Sequence, residues 1–213
     1  AAGRVDEADL ALLVEHRGGP LVVRTEKLVV ATGARERFLP FPGWTLPGVM
    51  GVGAAQALLK SGLSFRGKRV VIAGTGPLLL PVAALMAKDG AHLAVVAEQA
   101  PLGRLLGFAA GLAGRPGKLV EALAYRARFA GVRYRTGTWV TSAAGDDRVR
   151  EVTLSDGTRS WSLPCDVLCC AYGLVPNVEL PRSVPALDVD HLDVSYRVQR
   201  VWRPVLRDVS FRI

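Results

Sequence analysis

Residues 70–87 form an uncharged stretch of eighteen positions, and the order of residue types within it predicts an alternating α/β fold. The β-branched residues 70–72 suit a buried strand, and the apolar run 78–87 suits a helix. A turn with two glycines, 74–77, separates them, and a second apolar strand follows at 93–97. This order makes one βαβ unit and predicts a parallel-sheet nucleotide-binding fold. A membrane span is a distant second, because the order of strand, glycine turn, helix and strand argues against it and the stretch is at the short end for a bilayer core of ~30 Å.

The hydrophobic pattern outside this unit predicts further strands, two helices and a β-meander. A strong hairpin signal, Asp156-Gly157, joins the last two meander strands. In chain order, the predicted elements are a hairpin of 10–14 with 21–24, a strand at 28–31, a loop at 40–48, a helix at 50–61, the βαβ unit at 68–98, a helix at 118–130, meander strands at 138–143, 148–154 and 158–163, and a buried strand at 167–172.

The turn Gly74-Thr75-Gly76-Pro77 has the chemistry of a dinucleotide site. A pyrophosphate is anionic and is held by free backbone N–H groups and the positive end of a helix dipole. Gly74 allows the tight turn, and Gly76 lets the backbone approach the phosphates. Glu98 lies near the offset expected for a carboxylate on the ribose 2′-hydroxyl, which favours NAD over NADP.

Two residues depart from the usual pattern of this turn. Leu79 stands where the third glycine belongs, and Pro81 is tolerable only if the helix begins a residue or two after Gly76. A glycine turn that binds no ligand therefore stays an open alternative for this motif alone.

Composition narrows the class of protein. The chain has 213 residues, 50% of them hydrophobic, which is enough for one or two globular domains. The net charge is +8, but the arginines are scattered without a basic run or an aromatic ladder. We therefore expect no nucleic-acid partner, and a nucleic-acid-binding module is only a third hypothesis.

The cysteines point to a structural role. Cys165, Cys169 and Cys170 lack the spacing of a redox pair or a zinc site, so we predict buried core residues and no metal. Cys169 and Cys170 should face opposite sides of one strand. Reduced thiols without a secretory signal are typical of a cytoplasmic protein.

The order of motifs resembles two-dinucleotide-domain flavoproteins of the pyridine nucleotide-disulphide oxidoreductase class. The motifs are a strand ending in ATG at 31–33, the GTG unit at 74–76, the meander, and YGLVPN at 172–177. The amino-acid sequences of residues 28–62 and of "AGTGPLLLPVAA" at 73–84 most resemble those of the flavoprotein subunits of opine oxidase, hydrogen cyanide synthase and sarcosine-oxidase-related amino-acid dehydrogenases.

This resemblance implies a Rossmann-like NAD-type domain with a β-meander, inserted in an incomplete FAD-binding domain. It implies FAD, and NAD as a further nucleotide, with Ala31, Thr32 and Gly33 as the second FAD-binding segment and Gly173 and Asn177 at the return to that domain. Such enzymes oxidise the C–N bond of an amine or amino acid and pass electrons to another centre. A second oxidoreductase subunit is therefore an expected partner.

The resemblance also divides the chain. The implied segments are 1–66 as a partial FAD-binding domain, 67–164 as the NAD(P)-type domain, 165–183 as the return to the FAD domain, and 184–213 as a linker with a β tail.

Several features of the class have no counterpart in this sequence. No G-x-G-x-x-G precedes residue 28, so we expect a truncated subunit. The NAD-type domain has no C-x-x-C, which argues against thiol redox chemistry. His16, His92 and His191 have no evident acid–base partner, so the catalytic residues stay unassigned.

The last segment resembles another family. Residues 187–213 are similar to the opening strands of an ABC transporter ATPase, with Tyr196 in the place of the adenine-stacking aromatic residue. A generic β-hairpin is the alternative. For the whole chain, the alternatives are a non-catalytic nucleotide-binding remnant or a fused fragment of an ABC ATPase.

Overall fold

The structure is a computed structural model that describes residues 10–25, 28–183, 188–198 and 201–212. Its elements, in chain order, are β1 (Leu10–His16), β2 (Gly19–Thr25), β3 (Ala34–Glu36), β4 (Val49–Gly51), α1 (Val52–Lys60), β5 (Arg69–Gly74), α2 (Leu79–Asp89), β6 (His92–Glu98), α3 (Leu102–Gly111), α4 (Pro116–Ala127), β7 (Tyr134–Thr136), β8 (Trp139–Ala144), β9 (Glu151–Ser155), β10 (Ser160–Pro164), β11 (Val167–Ala171), β12 (Leu174–Pro176), α5 (Glu179–Ser183), β13 (Asp188–Val198) and β14 (Val201–Arg212).

The chain divides into two compact units, one of residues 1–34 with 176–213 and the other of residues 35–175. In its described part, the first unit holds helix α5 and two antiparallel hairpins, β1–β2 and β13–β14. The hairpin predicted from 10–14 and 21–24 is therefore confirmed. The strands of the tail also pair as a hairpin, with register shifts, whereas the linker expected around 184–187 lies outside the described residues.

The second unit is built on a five-stranded parallel sheet in the order β4-β11-β5-β6-β7. All five residues of β11 are buried, because this strand has protein on both faces. Cys169 belongs to the apolar cluster on one face and Cys170 to the cluster on the other. The prediction that these neighbours face opposite sides of one strand is confirmed, as is the Rossmann-like α/β class.

Two apolar layers cover the sheet. On one face, Ile72 and Cys169 pack with buried residues of α1 and α2, including Val52 and Met86. On the other face, the antiparallel sheet β10-β9-β8 supplies part of the second cluster, including Leu154. The predicted meander is confirmed, with strand bounds shifted by one to three residues.

Helix α2 accommodates both departures from the usual glycine motif. It begins at Leu79, so Pro81 is its third residue and falls in the first turn, where a missing N–H removes no helical bond. Leu79 is fully buried in the first cluster. The position that usually holds a small residue for close helix packing therefore carries a core side chain here.

The prediction of a strand at 28–31 is wrong. No strand covers 28–33, and Val29 is 68% exposed. The carbonyls of Thr32 and Gly33 accept bonds from the side chain and the backbone of Asn177 instead of from a neighbouring strand. A β-prone sequence needs a ladder partner, and the described residues offer none at this position.

The close approach of Gly74 to β11 provides a test of the fold. A Cβ at Gly74 would collide with the backbone carbonyl of Ala171, whereas a Cβ at Gly107 in α3 would meet nothing within 4 Å. We expect Gly74→Ala to lower the free energy of unfolding by about 1–3 kcal/mol through overpacking. Gly107→Ala should leave it unchanged or raise it by up to about 1 kcal/mol. Chemical denaturation measures both, and equal midpoints would contradict the close approach.

Candidate nucleotide-binding cleft

The glycine loop lies at the carboxyl end of β5, the strand at which the order of strands in the parallel sheet reverses. From β5 the chain continues to β6 and β7 on one side, whereas β11 and β4 lie on the other. Ligands of open α/β sheets bind at such a switch point. The loop is tied to both neighbours, because Thr75 N–H donates to the carbonyl of Ala171 (2.6 Å) and Gln99 N–H donates to that of Gly74 (2.7 Å).

A cleft of about 630 Å³ opens beside this loop, which is within the usual size of a small-molecule site. Its walls are the loop, the start of α2, and the helices α3 and α4, and most of its lining is apolar. Residues that line it include Gly76, Pro77, Leu80, Glu98, Arg104, Leu105, Phe108, Lys118, Glu121, Tyr125 and Tyr134.

The carboxylate of Glu98 is the central polar group of the cleft. Its side chain is fully buried, and it accepts bonds from the N–H groups of Gly76 (3.1 Å) and Ala100 (2.9 Å). The Tyr134 hydroxyl contributes a long third bond of 3.5 Å. Burial, together with this carboxylate, raises the pKa of Tyr134 well above its ordinary value, so the phenol stays protonated and donates.

Most backbone amides of the glycine loop already have partners or do not exist. Thr75 and Gly76 donate to Ala171 and Glu98, and the amides of the first helical turn donate back into the loop. Leu79 N–H donates to the carbonyl of Gly76 (3.3 Å), and Leu80 N–H donates to the carbonyl of Pro77 (3.3 Å). Pro77 and Pro81 have no N–H to donate. Between Thr75 and Leu80, the described structure shows an amide without an acceptor only at Leu78.

The ATG segment and the YGLVPN segment meet through three hydrogen bonds. Thr32 Oγ1 donates to the carbonyl of Asn177 (2.5 Å), and Asn177 Nδ2 donates to that of Thr32 (2.9 Å). Asn177 N–H donates to the carbonyl of Gly33 (3.0 Å). Ala31 is exposed next to these residues. The structure therefore joins two segments that are far apart in the sequence.

Gly33 has the geometry of a backbone left open to a ligand. Its φ of +68° is in the left-handed region that favours glycine, and no described atom lies within 4 Å of the place of a Cβ. Gly173 has the same two properties, with a φ of +107°. Its carbonyl accepts a bond from Arg37 N–H within the second unit.

A glycine loop between a parallel strand and a helix, with a carboxylate at the end of the next strand, defines a dinucleotide-binding protein of the Rossmann-like class. Residues 4–192 match the family model for pyridine nucleotide-disulphide oxidoreductases, and the chain belongs to this family. Members of the family are oxidoreductases that bind FAD and use a pyridine nucleotide.

Curated relatives include components of multi-component oxidoreductases. The chain is 34% identical over 172 residues to the HcnB component of hydrogen cyanide synthase from Pseudomonas protegens, which covers 76% of this chain and 37% of that protein. It is 48% identical over 73 residues to an opine oxidase subunit of Agrobacterium tumefaciens, covering 34% of this chain and 14% of that one. The chain thus spans well under half the length of these relatives.

A solved FAD-dependent pyridine nucleotide-disulphide oxidoreductase from Desulfovibrio vulgaris shares the fold. Its TM-score is 0.55 at 20% identity, over 84% of this chain and 44% of that one. None of the described helices has the length and apolar character needed to cross a membrane. In the same described ranges, no group of three or more His, Cys, Asp and Glu residues is placed to hold a metal ion.

The two cofactors of the family fit the chain differently. The exposed ATG segment and the open face of Gly33 fit an approaching FAD. The cleft has the position, the size and the carboxylate of an NAD site, but its loop retains few free amides for a pyrophosphate.

The sequence interpretation missed the outer wall of the cleft. Helix α3 was not predicted, and Arg104, Phe108 and Tyr134 were not recognised as lining residues. The apolar residues of 102–112 do recur at helical spacing, which could have revealed the helix. The glycines at 103, 107 and 111 weaken that signal.

Glu98 should stabilise the loop. Glu98→Ala would leave two N–H groups without their acceptor, so we expect the free energy of unfolding to fall by about 3 kcal/mol. Glu121→Ala removes an exposed carboxylate from the same cleft and should leave the denaturation midpoint nearly unchanged. Hydrogen exchange at Gly76 should also accelerate in Glu98→Ala alone, and similar midpoints for the two variants would contradict the role of Glu98.

The buried thiols should be inert toward alkylation. Burial raises the pKa of Cys165 to about 11, that of Cys170 to about 12, and that of Cys169 well above its ordinary value. At pH 8, about one thousandth of a thiol with a pKa of 11 is thiolate, the reactive form. Mass spectrometry after iodoacetamide treatment should therefore show three unmodified cysteines in the native protein and three modified ones in denaturant.

The same shifts set a pH dependence. The pKa of each thiol is higher in the folded protein than its value of about 8.5 in the unfolded chain. The contribution of the neutral thiols to stability is therefore complete at pH values below about 8.5. It is lost as the pH rises toward their folded values, so the protection from alkylation should weaken in alkali. Rapid labelling of the native protein at pH 8 would show that the thiols are accessible.

Proposed function

We propose that this chain belongs to an FAD-dependent oxidoreductase that oxidises the C–N bond of an amine or amino acid. The observation that carries the proposal is the set of three hydrogen bonds between Thr32, Gly33 and Asn177, because it assembles the two segments that the resemblance assigns to FAD. The similarity to subunits named for hydrogen cyanide synthesis and opine oxidation supports the choice of substrate class.

The proposal assigns two nucleotide sites. FAD is held by Ala31, Thr32, Gly33 and Asn177 of the first unit, and an NAD-type ligand occupies the cleft of the second unit at Gly74, Gly76, Pro77 and Glu98. Glu98 supports this second assignment because a carboxylate has about four lone-pair positions and retains one for a ribose hydroxyl. The role of Gly173 stays a prediction of the resemblance.

The division of the chain follows from the same proposal. We assign residues 1–66 and 165–183 to the FAD-binding domain and residues 67–164 to the inserted NAD-type domain, whose parallel sheet is extended by β4 and β11 of the flanking segments. The similarity of residues 187–213 to an ABC ATPase remains a prediction, and the family model ends within β13, at residue 192.

Ala31, Thr32 and Gly33 would hold FAD, which would supply an acceptor for the two electrons and two protons that an amine loses on becoming an imine. The expected partner is a protein with a second redox centre, as the subunit names of the relatives suggest. Unpaired, buried thiols support a cytoplasmic location.

A test should use the full-length protein with any partner that co-purifies. We expect a flavin absorbance band that amines or amino acids bleach in the absence of oxygen. Thr32→Val removes one hydroxyl bond to a carbonyl and should weaken flavin retention about fivefold, which corresponds to ~1 kcal/mol. Thr141→Val removes a similar bond, to the carbonyl of Thr153, and should retain the flavin.

Three results would count against the proposal. Absence of flavin would contradict the FAD assignment, and equal flavin retention in the two variants would contradict the role of Thr32. Bleaching by NADH but by no amine would indicate a reductase driven by pyridine nucleotide.

A further inference from the structure

The amides of the glycine loop are poorly placed to grip a pyrophosphate. Gly76 N–H is bonded to a buried carboxylate, and both prolines of the loop and first helical turn lack an N–H. The Glu98 carboxylate oxygen Oε2 also lies 3.1 Å from the amide nitrogen of Gly76, which the phosphates would approach. Among the described amides from Thr75 to Leu80, a phosphate placed there would find a free donor only at Leu78 N–H, and it would meet the like charge of Glu98.

The cleft carries its positive charge on two side chains instead. Arg104 of α3 and Lys118 of α4 are the lysine and arginine residues among those that line it. Arg104 makes no side-chain hydrogen bond or ion pair with any described residue, whereas Lys118 pairs with Glu121 at 2.9 Å. Both side chains are exposed at the cleft and stand on elements other than the glycine loop.

We propose that Arg104 and Lys118, rather than the amides of the glycine loop, hold the phosphates of the nucleotide that occupies this cleft. This inference rests on the proposed nucleotide site and adds the residues that bind its anionic part. A guanidinium binds phosphate with two parallel hydrogen bonds, and an ammonium acts as a point charge. The apolar walls, which include Leu105 and Phe108, are left to the base and sugars.

Such a site should depend on salt more than one built on backbone amides. Exposed side-chain charges are screened by added ions, with a Debye length of about 8 Å at physiological ionic strength. A ligand without phosphates should be insensitive to both cations. The salt dependence of NAD binding therefore separates the two modes, and a ligand without phosphates is the control.

Calorimetric titration of the full-length protein with NAD and with adenosine tests this inference. We expect Arg104→Ala to raise the Kd of NAD about tenfold and Lys118→Ala to raise it somewhat less, because Lys118 is shared with Glu121. Adenosine should bind both variants as it binds the wild type. Arg115→Ala is the matched control, because Arg115 lies between α3 and α4 but does not line the cleft, and it should leave both constants unchanged.

Each outcome distinguishes the inference from the proposed nucleotide site. If NAD binds wild type, Arg104→Ala and Lys118→Ala equally well, the inference is overturned and the site itself stands. An equal loss of adenosine binding in these variants would show altered packing and would also overturn it. If neither ligand binds the wild type, both the site and the inference fail.

Discussion

The contact between Gly74 and Ala171 fixes the position of the nucleotide loop. Strand β11 follows β5 at a long distance along the sequence, and it lies beside β5 with no room for a side chain at Gly74. Thr75 N–H then bonds to the carbonyl of Ala171, so the loop turns away from the sheet immediately. Because β6 lies on the other side of β5, the two neighbours diverge at this point and leave the crevice in which the cleft forms.

The buried carboxylate of Glu98 holds the glycine loop in place, but it occupies an amide that could otherwise bind a phosphate. Glu98 is stable without solvent because two amides and a phenol surround it. The same bonds hold the loop in one conformation before any ligand arrives. They also occupy the N–H group of Gly76, which a phosphate would otherwise use as a donor. The carboxylate that makes the loop rigid therefore lowers its affinity for an anion.

Local patterns predicted most of the second unit. The βαβ unit, the meander and the buried strand around 167–172 have uniform, contiguous signals, and Cys169 and Cys170 face opposite layers as the alternation of a strand requires. The prediction of a strand at 28–31 was wrong, because β propensity alone does not supply a neighbouring strand to pair with. Arg104 and Tyr134 could not be found from the sequence, because they reach the cleft only through the packing of elements distant from the loop.

Pairing of polar groups is the common physical feature of both nucleotide segments. Asn177 occupies the carbonyls of Thr32 and Gly33, and Glu98 occupies the amide of Gly76. In the described part of the chain, no buried side-chain nitrogen or oxygen atom lacks a hydrogen-bond partner. Such segments do not need a ligand to satisfy them, so little rearrangement opposes binding. What remains for a ligand is the open face of glycine and the charge of nearby side chains, and these features set selectivity without being required for the fold.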